Sequence, residues 1–376
     1  MQTSKLGFYG LWLLLIVSAD LVMCESGFAQ GSKVQLPKPT GTYAVGVNVF
    51  QWVNYAEKDT FTRYSNDYRE VAVQVYYPAQ AGNESLSVKS RYAPLFKGAD
   101  SVETNARLLI DVAATNRPFP VILVCPGRGV AKHEYSIMAE ELASHGYIVA
   151  SIDMPYLGDV RYLDGRVIPP HPQFRVPPAY FSGPYRRVDS FFVQASKIGA
   201  TDVAFAINGL KMLNNNKRSV FFGKMDFDNM GIFGHSLGGR TAGQALGEIA
   251  GIKAYISMEG ITPSDVRVNG INKPMAFIMS ESLVKNAITN YEEAIPKRKH
   301  DVHIVILKEF GHNSLTDYPY TYPISAAYKV SPVVSAETGR SILRKFFDCY
   351  LNQKADFGEG IKGDPVVELR TYGKPK

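Results

Sequence analysis

The sequence is poor in the features that mark several common classes of protein. It has three cysteines and two tryptophans in 376 residues, and its net charge is only +6. So few cysteines exclude a disulfide-rich scaffold. The modest charge, without a basic stripe interleaved with aromatics, argues against a nucleic-acid partner. The chain also lacks an HExxH motif or a cluster of histidine and acidic residues, so we expect no metal and no cofactor.

A long transmembrane run is absent from the N-terminus. The apolar stretch over residues 6–19 follows Lys5 and is shorter than the about 20 residues that cross a bilayer. Gly27-Phe28-Ala29 provides a small-x-small cleavage site. We therefore predict a signal peptide over residues 1–29 and a secreted or periplasmic protein. A retained N-terminal anchor and a lipoprotein anchored at Cys24 are the less favoured alternatives.

What the chain does contain is an alternation of apolar runs and helical patterns. The helical patterns cover 134–146, 187–214 and 337–352. The apolar runs predict strands at 43–53, 71–78, 119–127, 146–153, 229–236, 253–259, 273–281 and 301–310. Most later runs are continuously apolar, as in strands buried on both faces. The alternation predicts an α/β fold with a mostly parallel central sheet covered by helices on both faces.

This alternation sets the expected domain boundaries. We predict one domain over residues 43–352, a linker over 30–42 and a C-terminal tail over 353–376. Residues 155–186 break the rhythm, because they are rich in proline and aromatics but have no helical or strand period. A loop of this length is typical of lids and binding loops. We expect a lid-like insertion, which either covers the sheet edge or forms a wall above a site.

The strongest local motif surrounds one serine. Gly234-His235-Ser236-Leu237-Gly238 fits the G-x-S-x-G nucleophile elbow, with an apolar run before it and a helical pattern after it. The two glycines are expected to give room for a strained turn between strand and helix. That turn would place the Ser236 hydroxyl at a helix N-terminus, where amide dipoles favour developing negative charge. Ser236 is therefore the predicted nucleophile.

A serine hydroxyl needs a base to take its proton, and the base needs an orienting acid. His312 lies in a loop directly after the last predicted strand, and serine, acid, histidine is the chain order found in enzymes with this elbow. The residues alone leave two candidates for the orienting acid. Glu259 ends the strand after the elbow, and Glu281 ends the next strand.

Two backbone N–H groups are needed to hold the developing oxyanion. Leu237, which follows the nucleophile, is expected to supply one of them. The loop CPGRG over residues 125–129 is expected to supply the other, through the N–H of Arg128. The Arg128 side chain is expected either to be solvated or to meet an anionic part of the substrate.

Longer segments carry a family pattern, in this order along the chain: PVILVCPGRGVAKHEYSIMAEELASHGYIVASID (120–153), MGIFGHSLGGRTA (230–242), AYISMEG (254–260), KPMAFIMSE (273–281) and FGHNSLTD (310–317). Together they resemble the plasma-type platelet-activating factor acetylhydrolase family of the α/β-hydrolase superfamily, which has dienelactone hydrolase-like relatives. The resemblance implies an α/β-hydrolase fold and calcium-independent cleavage of short or oxidised acyl groups from the sn-2 position of phospholipids.

The same resemblance implies roles for individual residues. It carries over the nucleophile to Ser236, the base to His312 and the oxyanion amides to Arg128 and Leu237, and it favours Glu259 as the acid. The chain departs from the family in two places. Glutamate replaces the usual aspartate at 259, and Pro126-Gly127 replaces a common His-Gly pair.

These observations predict a secreted serine carboxylic-ester hydrolase that acts on a small-molecule or lipid ester. Two alternatives differ in substrate or in class: a polyester or small-ester hydrolase, and a non-catalytic binding protein on a hydrolase scaffold. The basic run Lys297-Arg298-Lys299-His300 is either a solvated turn or a weak contact with an anionic membrane surface.

Overall fold

The computed structural model of the protein describes residues 33–82, 87–94, 101–158, 160–175, 185–269, 272–293, 295–322 and 329–374. The predicted signal peptide over 1–29 lies outside these residues. None of the helices in the described ranges combines the length and the apolar character needed to cross a bilayer.

The chain forms fourteen strands within the described residues: β1 Lys33–Gln35, β2 Ala44–Lys58, β3 Tyr68–Ala79, β4 Val88–Tyr92, β5 Ser101–Leu108, β6 Phe119–Cys125, β7 Ile148–Ile152, β8 Val160–Arg161, β9 Val167–Ile168, β10 Met225–His235, β11 Ile252–Met258, β12 Met275–Ser280, β13 Val302–Leu307 and β14 Val367–Tyr372. The helices are α1 Ser136–Ser144, α2 Tyr185–Asn215, α3 Leu237–Glu248, α4 Ser264–Asn269, α5 Glu281–Glu292, α6 Tyr318–Thr321 and α7 Pro332–Asn352.

Twelve strands share one sheet in the order β1-β5-β2-β3-β7-β6-β10-β11-β12-β13-β14, with β4 paired to β5 outside this path. Six neighbouring strands at the centre of the sheet are parallel to one another: β7, β6, β10, β11, β12 and β13. β3 and β14 join this block antiparallel, at its two sides. Because parallel strands point the same way, the loops after β6, β10, β11 and β13 emerge at one edge of the sheet.

Two apolar cores lie on the two faces of this sheet. Side chains of α2, α3 and α5 pack on one face, and side chains of α1 and α7 pack on the other. The central strands β6 and β12 are buried almost throughout, which explains their continuous apolar runs. The predicted mostly parallel α/β sheet with helices on both faces is confirmed.

The domain is longer at both ends than the sequence suggested. In the predicted linker over 30–42, residues 33–35 form β1, which pairs with β5, and the following Leu36 is buried. In the predicted tail over 353–376, β14 forms the antiparallel edge beside β13. Both segments are short and partly exposed, so neither has the long apolar run by which the inner strands are recognised.

The described part of the 155–186 insertion packs on the body of the domain. β8 and β9 form a hairpin, and a single 3-10 turn over Pro172–Phe174 follows. Phe174 is buried, and its ring lies 5.2 Å from the ring of Phe61. The Tyr156 hydroxyl donates to Asp59 at 2.8 Å. These contacts fix the first half of the insertion against the loop that joins β2 and β3.

Candidate active site

Ser236 is the single residue between β10 and α3, and its backbone is strained. Its φ of 54° and ψ of −120° lie in a region that side-chain-bearing residues rarely adopt. A side chain at Gly234 would overlap the carbonyl of Gly238, and a side chain at Gly238 would overlap the carbonyls of Cys125 and Pro126. The elbow therefore needs both glycines for the close approach of its own turn and of the loop after β6.

The loop after β6 turns back immediately beside this elbow. The Gly127 carbonyl accepts from the Val130 N–H at 3.1 Å, and Gly129 takes a φ of +75°, which favours glycine. Among the described residues, the backbone N–H of Arg128 has no hydrogen-bond partner. Leu237 is the first residue of α3, where N–H groups have no intrahelical acceptor. Both N–H groups therefore remain candidate donors for an oxyanion.

Glu259 begins the loop that follows β11, directly alongside the elbow. The Ser236 N–H donates to the carbonyl of Met258 at 2.8 Å, and a side chain at Gly260 would overlap the Ser236 carbonyl. The Glu259 carboxylate is buried and accepts from the backbone N–H and the hydroxyl of Ser280. Its Oε2 lies 3.4 Å from Nδ1 of His312. The structure thus brings Glu259 and His312 together.

His312 lies in the loop after β13, and its backbone is held against the elbow. Its carbonyl accepts from Nε2 of His235 at 2.8 Å, and the two imidazole rings are 4.8 Å apart. The His312 side chain is one-third exposed. The Ser236 hydroxyl makes no hydrogen bond among the described residues, so its proton transfer to His312 stays a prediction. Catalytic hydrogen bonds of this kind are often long without substrate.

His235 has a role that sequence reasoning missed. The Gly127 N–H donates to the Tyr135 hydroxyl at 2.9 Å, and this hydroxyl lies 3.0 Å from Nδ1 of His235. Because Nε2 donates to the His312 carbonyl, Nδ1 is the acceptor and the Tyr135 hydroxyl donates to it. Burial and the neighbouring His312 ring lower the pKa of His235 to about 3, so the ring is neutral. We call this series of contacts the His235 hydrogen-bond chain.

A second anchor fixes the far end of the histidine loop. The Asp317 carboxylate accepts from the N–H groups of Ser136 and Ile137, each at 3.0 Å, at the first turn of α1. It also accepts from the Tyr92 hydroxyl at 2.8 Å. A carboxylate at a helix N-terminus satisfies orphan donors and complements the helix dipole. These partners are distant in sequence, so no local pattern indicated them.

The other predicted residues take different places. Glu281 is not the end of a strand but the first residue of α5, where it is exposed and its carboxylate accepts from the Glu309 N–H at 3.2 Å. In the basic run, Lys297 and Lys299 are exposed, whereas Arg298 donates to the carbonyl of Gly373 at 2.7 Å. Within the described ranges, no three histidine, cysteine or acidic side chains are grouped as metal ligands would be.

Comparisons with known proteins find several of similar sequence. No family model matches the sequence. The platelet-activating factor acetylhydrolase of Canis lupus familiaris is 23% identical over 337 residues, which cover 76% of this chain and 69% of that protein. A probable 1-alkyl-2-acetylglycerophosphocholine esterase of Arthroderma benhamiae is 22% identical over 321 residues, 77% of each chain. The chain is thus similar to a platelet-activating factor acetylhydrolase and to an esterase named for the same reaction. The resemblance stated from the sequence is confirmed.

A solved structure gives the fold independently. The ferulic acid esterase of Streptomyces cinnamoneus superimposes with a TM-score of 0.71 at 21% identity, over 90% of this chain and 99% of that one. The predicted α/β-hydrolase fold is therefore confirmed. By their names, this neighbour and both acetylhydrolase relatives are ester hydrolases, which supports the same general class for this chain.

Proposed function

We propose that this chain is a serine carboxylic-ester hydrolase with Ser236 as nucleophile, His312 as general base and Glu259 as the orienting acid. The observation that carries the proposal is the contact of the buried Glu259 carboxylate with the His312 ring, directly beside the strained Ser236. A buried carboxylate is costly unless it is hydrogen-bonded, and orienting an imidazole is a chemical use for it.

The proposed reaction runs through an acyl-enzyme. The Ser236 hydroxyl oxygen attacks the ester carbonyl while His312 takes its proton, and the carbonyl electron pair moves onto oxygen. The N–H groups of Leu237 and Arg128 hold that oxyanion. Its collapse breaks the ester bond, and the alcohol leaves with the proton from His312. Water then repeats the sequence on the acyl-enzyme, releasing the acid and restoring Ser236.

The proposed substrate is an ester with a short acyl group on a phospholipid-like alcohol. The names of the two curated relatives support this substrate class. A small ester is the second candidate, because the structural neighbour is named a ferulic acid esterase. Phospholipids and p-nitrophenyl esters of increasing acyl length distinguish them. A steep loss of rate beyond short chains on phospholipids favours the first, and activity on small esters alone favours the second.

The serine mechanism is tested by covalent labelling. A fluorophosphonate probe should label the wild-type chain at Ser236, and Ser236→Ala should lose both label and hydrolysis. Ser341→Ala, on α7, is the control and should still label. An unlabelled wild-type chain with no ester activity would favour a non-catalytic binding protein instead.

Export and membrane contact are further parts of the proposal. We propose a secreted or periplasmic enzyme, supported by the signal-peptide pattern over residues 1–29. N-terminal sequencing of the exported chain should find residue 30 first, and an unprocessed chain in the cytoplasm would contradict export.

The proposed membrane contact is a weak one through the basic run. Binding to anionic vesicles should fall when Lys297 and Lys299, the exposed members of the basic run, are changed to glutamine.

A further inference from the structure

Arg128, in the turn after β6, is half-buried, and its guanidinium has no hydrogen bond and no ion pair among the described residues. Three buried arginines have acceptors: Arg69 pairs with Asp202 at 2.6 Å, Arg240 donates to the Ile261 carbonyl at 2.8 Å, and Arg340 donates to the Pro37 carbonyl at 2.7 Å. The half-buried Arg344, on α7, also has a buried Nε without a partner, so Arg128 is distinguished by its place in the turn after β6. A partly solvated guanidinium without a protein acceptor is open to a ligand anion.

The charges around the two kinds of arginine differ accordingly. Burial opposes the charge of Arg69, but the Asp202 carboxylate raises the pKa of its guanidinium. For Arg128, burial lowers the pKa, and no carboxylate of the described residues opposes this effect. The Arg128 guanidinium nevertheless stays protonated at neutral pH, because arginine titrates far above it. Within the described part of the chain, no opposite charge compensates it.

This charge belongs to the turn that borders the reacting serine. Gly127, the preceding residue, lies so close to the elbow that a side chain there would meet Nδ1 of His235 at 2.8 Å. On the other side, a side chain at Gly158 of the insertion would meet the Gly129 N–H nitrogen at 3.3 Å. The N-terminus of α3 also points its positive dipole end at this region.

We propose that the Arg128 guanidinium binds an anionic group of the substrate, a carboxylate or a phosphate, close to the scissile ester. This inference rests on the proposed ester-hydrolase function and narrows its substrate class. The guanidinium fork matches two oxygens of either anion, and such charge-assisted pairs are strong where water is partly excluded. The bound anion would give the Arg128 guanidinium the acceptor that no described residue provides.

Matched ester pairs test the proposal and separate the two sources of the anion. p-Nitrophenyl hemisuccinate and p-nitrophenyl butyrate differ by a carboxylate on the acyl side. Dibutyryl-glycerophosphate and dibutyrylglycerol differ by a phosphate on the alcohol side. In each pair the measured quantity is the ratio of kcat/KM for the anionic ester to that for the neutral ester. We expect the wild-type chain to prefer the anionic member of at least one pair.

Arg128→Gln removes the side-chain charge while the backbone N–H of residue 128 remains. The ratio should fall about 10- to 100-fold, the loss expected for a charge-assisted hydrogen bond. Arg128→Lys keeps the charge without the fork and should give an intermediate ratio. Arg218→Gln removes an exposed charge elsewhere and is the matched control, with an unchanged ratio. Labelling of each variant at Ser236 shows that it is folded.

Three results would overturn the inference. One is a wild-type chain with no preference for either anionic ester. Another is a preference that survives in Arg128→Gln. The last is an equal loss on both members of a pair, because the guanidinium would then act on the ester carbonyl common to them. If instead no ester is hydrolysed and Ser236 is not labelled, the proposed function itself fails, and this inference fails with it.

Discussion

Gly238 occupies the point where the first turn of α3 meets the carbonyls of Cys125 and Pro126. Gly238→Ala should displace the loop that presents the Arg128 N–H and lower kcat/KM by about tenfold or more, the scale of losing an oxyanion donor. Gly247→Ala, near the end of the same helix, has only one atom within 4 Å, at 3.9 Å, and is the matched control. It should keep activity and raise helix stability slightly. Equal kcat/KM values would contradict the prediction.

Glu259 and Glu281 separate as acids through their contacts. Glu259→Gln should leave the backbone placed but remove the charge that stabilises protonated His312, so we expect kcat to fall by about a hundredfold or more. Glu281→Gln serves as the control, because Glu281 is exposed and bonded to the Glu309 N–H instead. Steady-state kinetics on a short p-nitrophenyl ester measures both. A larger loss in Glu281→Gln would reverse the assignment.

At the scale of single residues, the sequence indicated the proposed catalytic residues but not the residues that hold them in place. The spacing of Gly234, Ser236 and Gly238 is a local pattern, and so is the position of His312 directly after a strand. Both could therefore be recognised from the sequence. The contacts of His235 and Asp317 join segments far apart in the chain. Neither residue stands in a local pattern that specifies a partner, so only the folded structure could identify them.

Among the elements, β14 protects the edge of the strand that leads to the His312 loop. Deleting residues 365–376 would leave unpaired the β13 backbone groups that face β14, and would expose the apolar surface that Val367 and Leu369 cover. The truncated chain should melt at a lower temperature and aggregate, as seen by thermal scanning and size-exclusion chromatography. Glu368→Gln, at an exposed position of the same strand, should behave as the wild type. An unchanged melting temperature after truncation would contradict the role of β14.

Inner strands and edge strands differ in how clearly the sequence pattern predicts them. The inner strands β6, β10, β11, β12 and β13 were predicted because burial on both faces demands continuous apolar runs. Edge strands need only backbone pairing and one partly covered face, so β1 and β14 were read as linker and tail. The helix α5 was also missed. Its first residue, Glu281, directly follows the apolar run of β12 and was read as the end of that strand.

For the molecule as a whole, buried neutral histidines make stability sensitive to acid. Burial lowers the pKa of His133 and His235 to about 3 and that of His303 to about 4, from 6.5. Between the two values the unfolded chain binds protons that the folded chain does not. The stability that each neutral ring contributes is therefore present above pH 6.5 and is lost as the pH falls, toward 4 for His303 and toward 3 for His133 and His235.

His303→Gln isolates one of these rings, which contacts the hydroxyls of Thr371 and Tyr350. Buried carboxylates are common to both chains, so they cancel in the comparison. The free energy of unfolding of the wild type should fall relative to the variant by about 1 kcal/mol per pH unit between pH 6 and 5. Urea unfolding at several pH values measures it. Parallel pH profiles would show that the ring is already protonated in the fold.

The His235 hydrogen-bond chain has a consequence for altering this protein. Because the neutral His235 ring links the turn after β6 to the backbone of His312, grafting a foreign loop at 125–130 should also shift His312, the proposed base. The described start of the insertion, by contrast, approaches that turn at Gly158, and no hydrogen bond between the insertion and residues 125–130 is found among the described residues. Substrate preference should therefore be easier to change by exchanging the insertion than by redesigning the loop after β6 or the loop after β13.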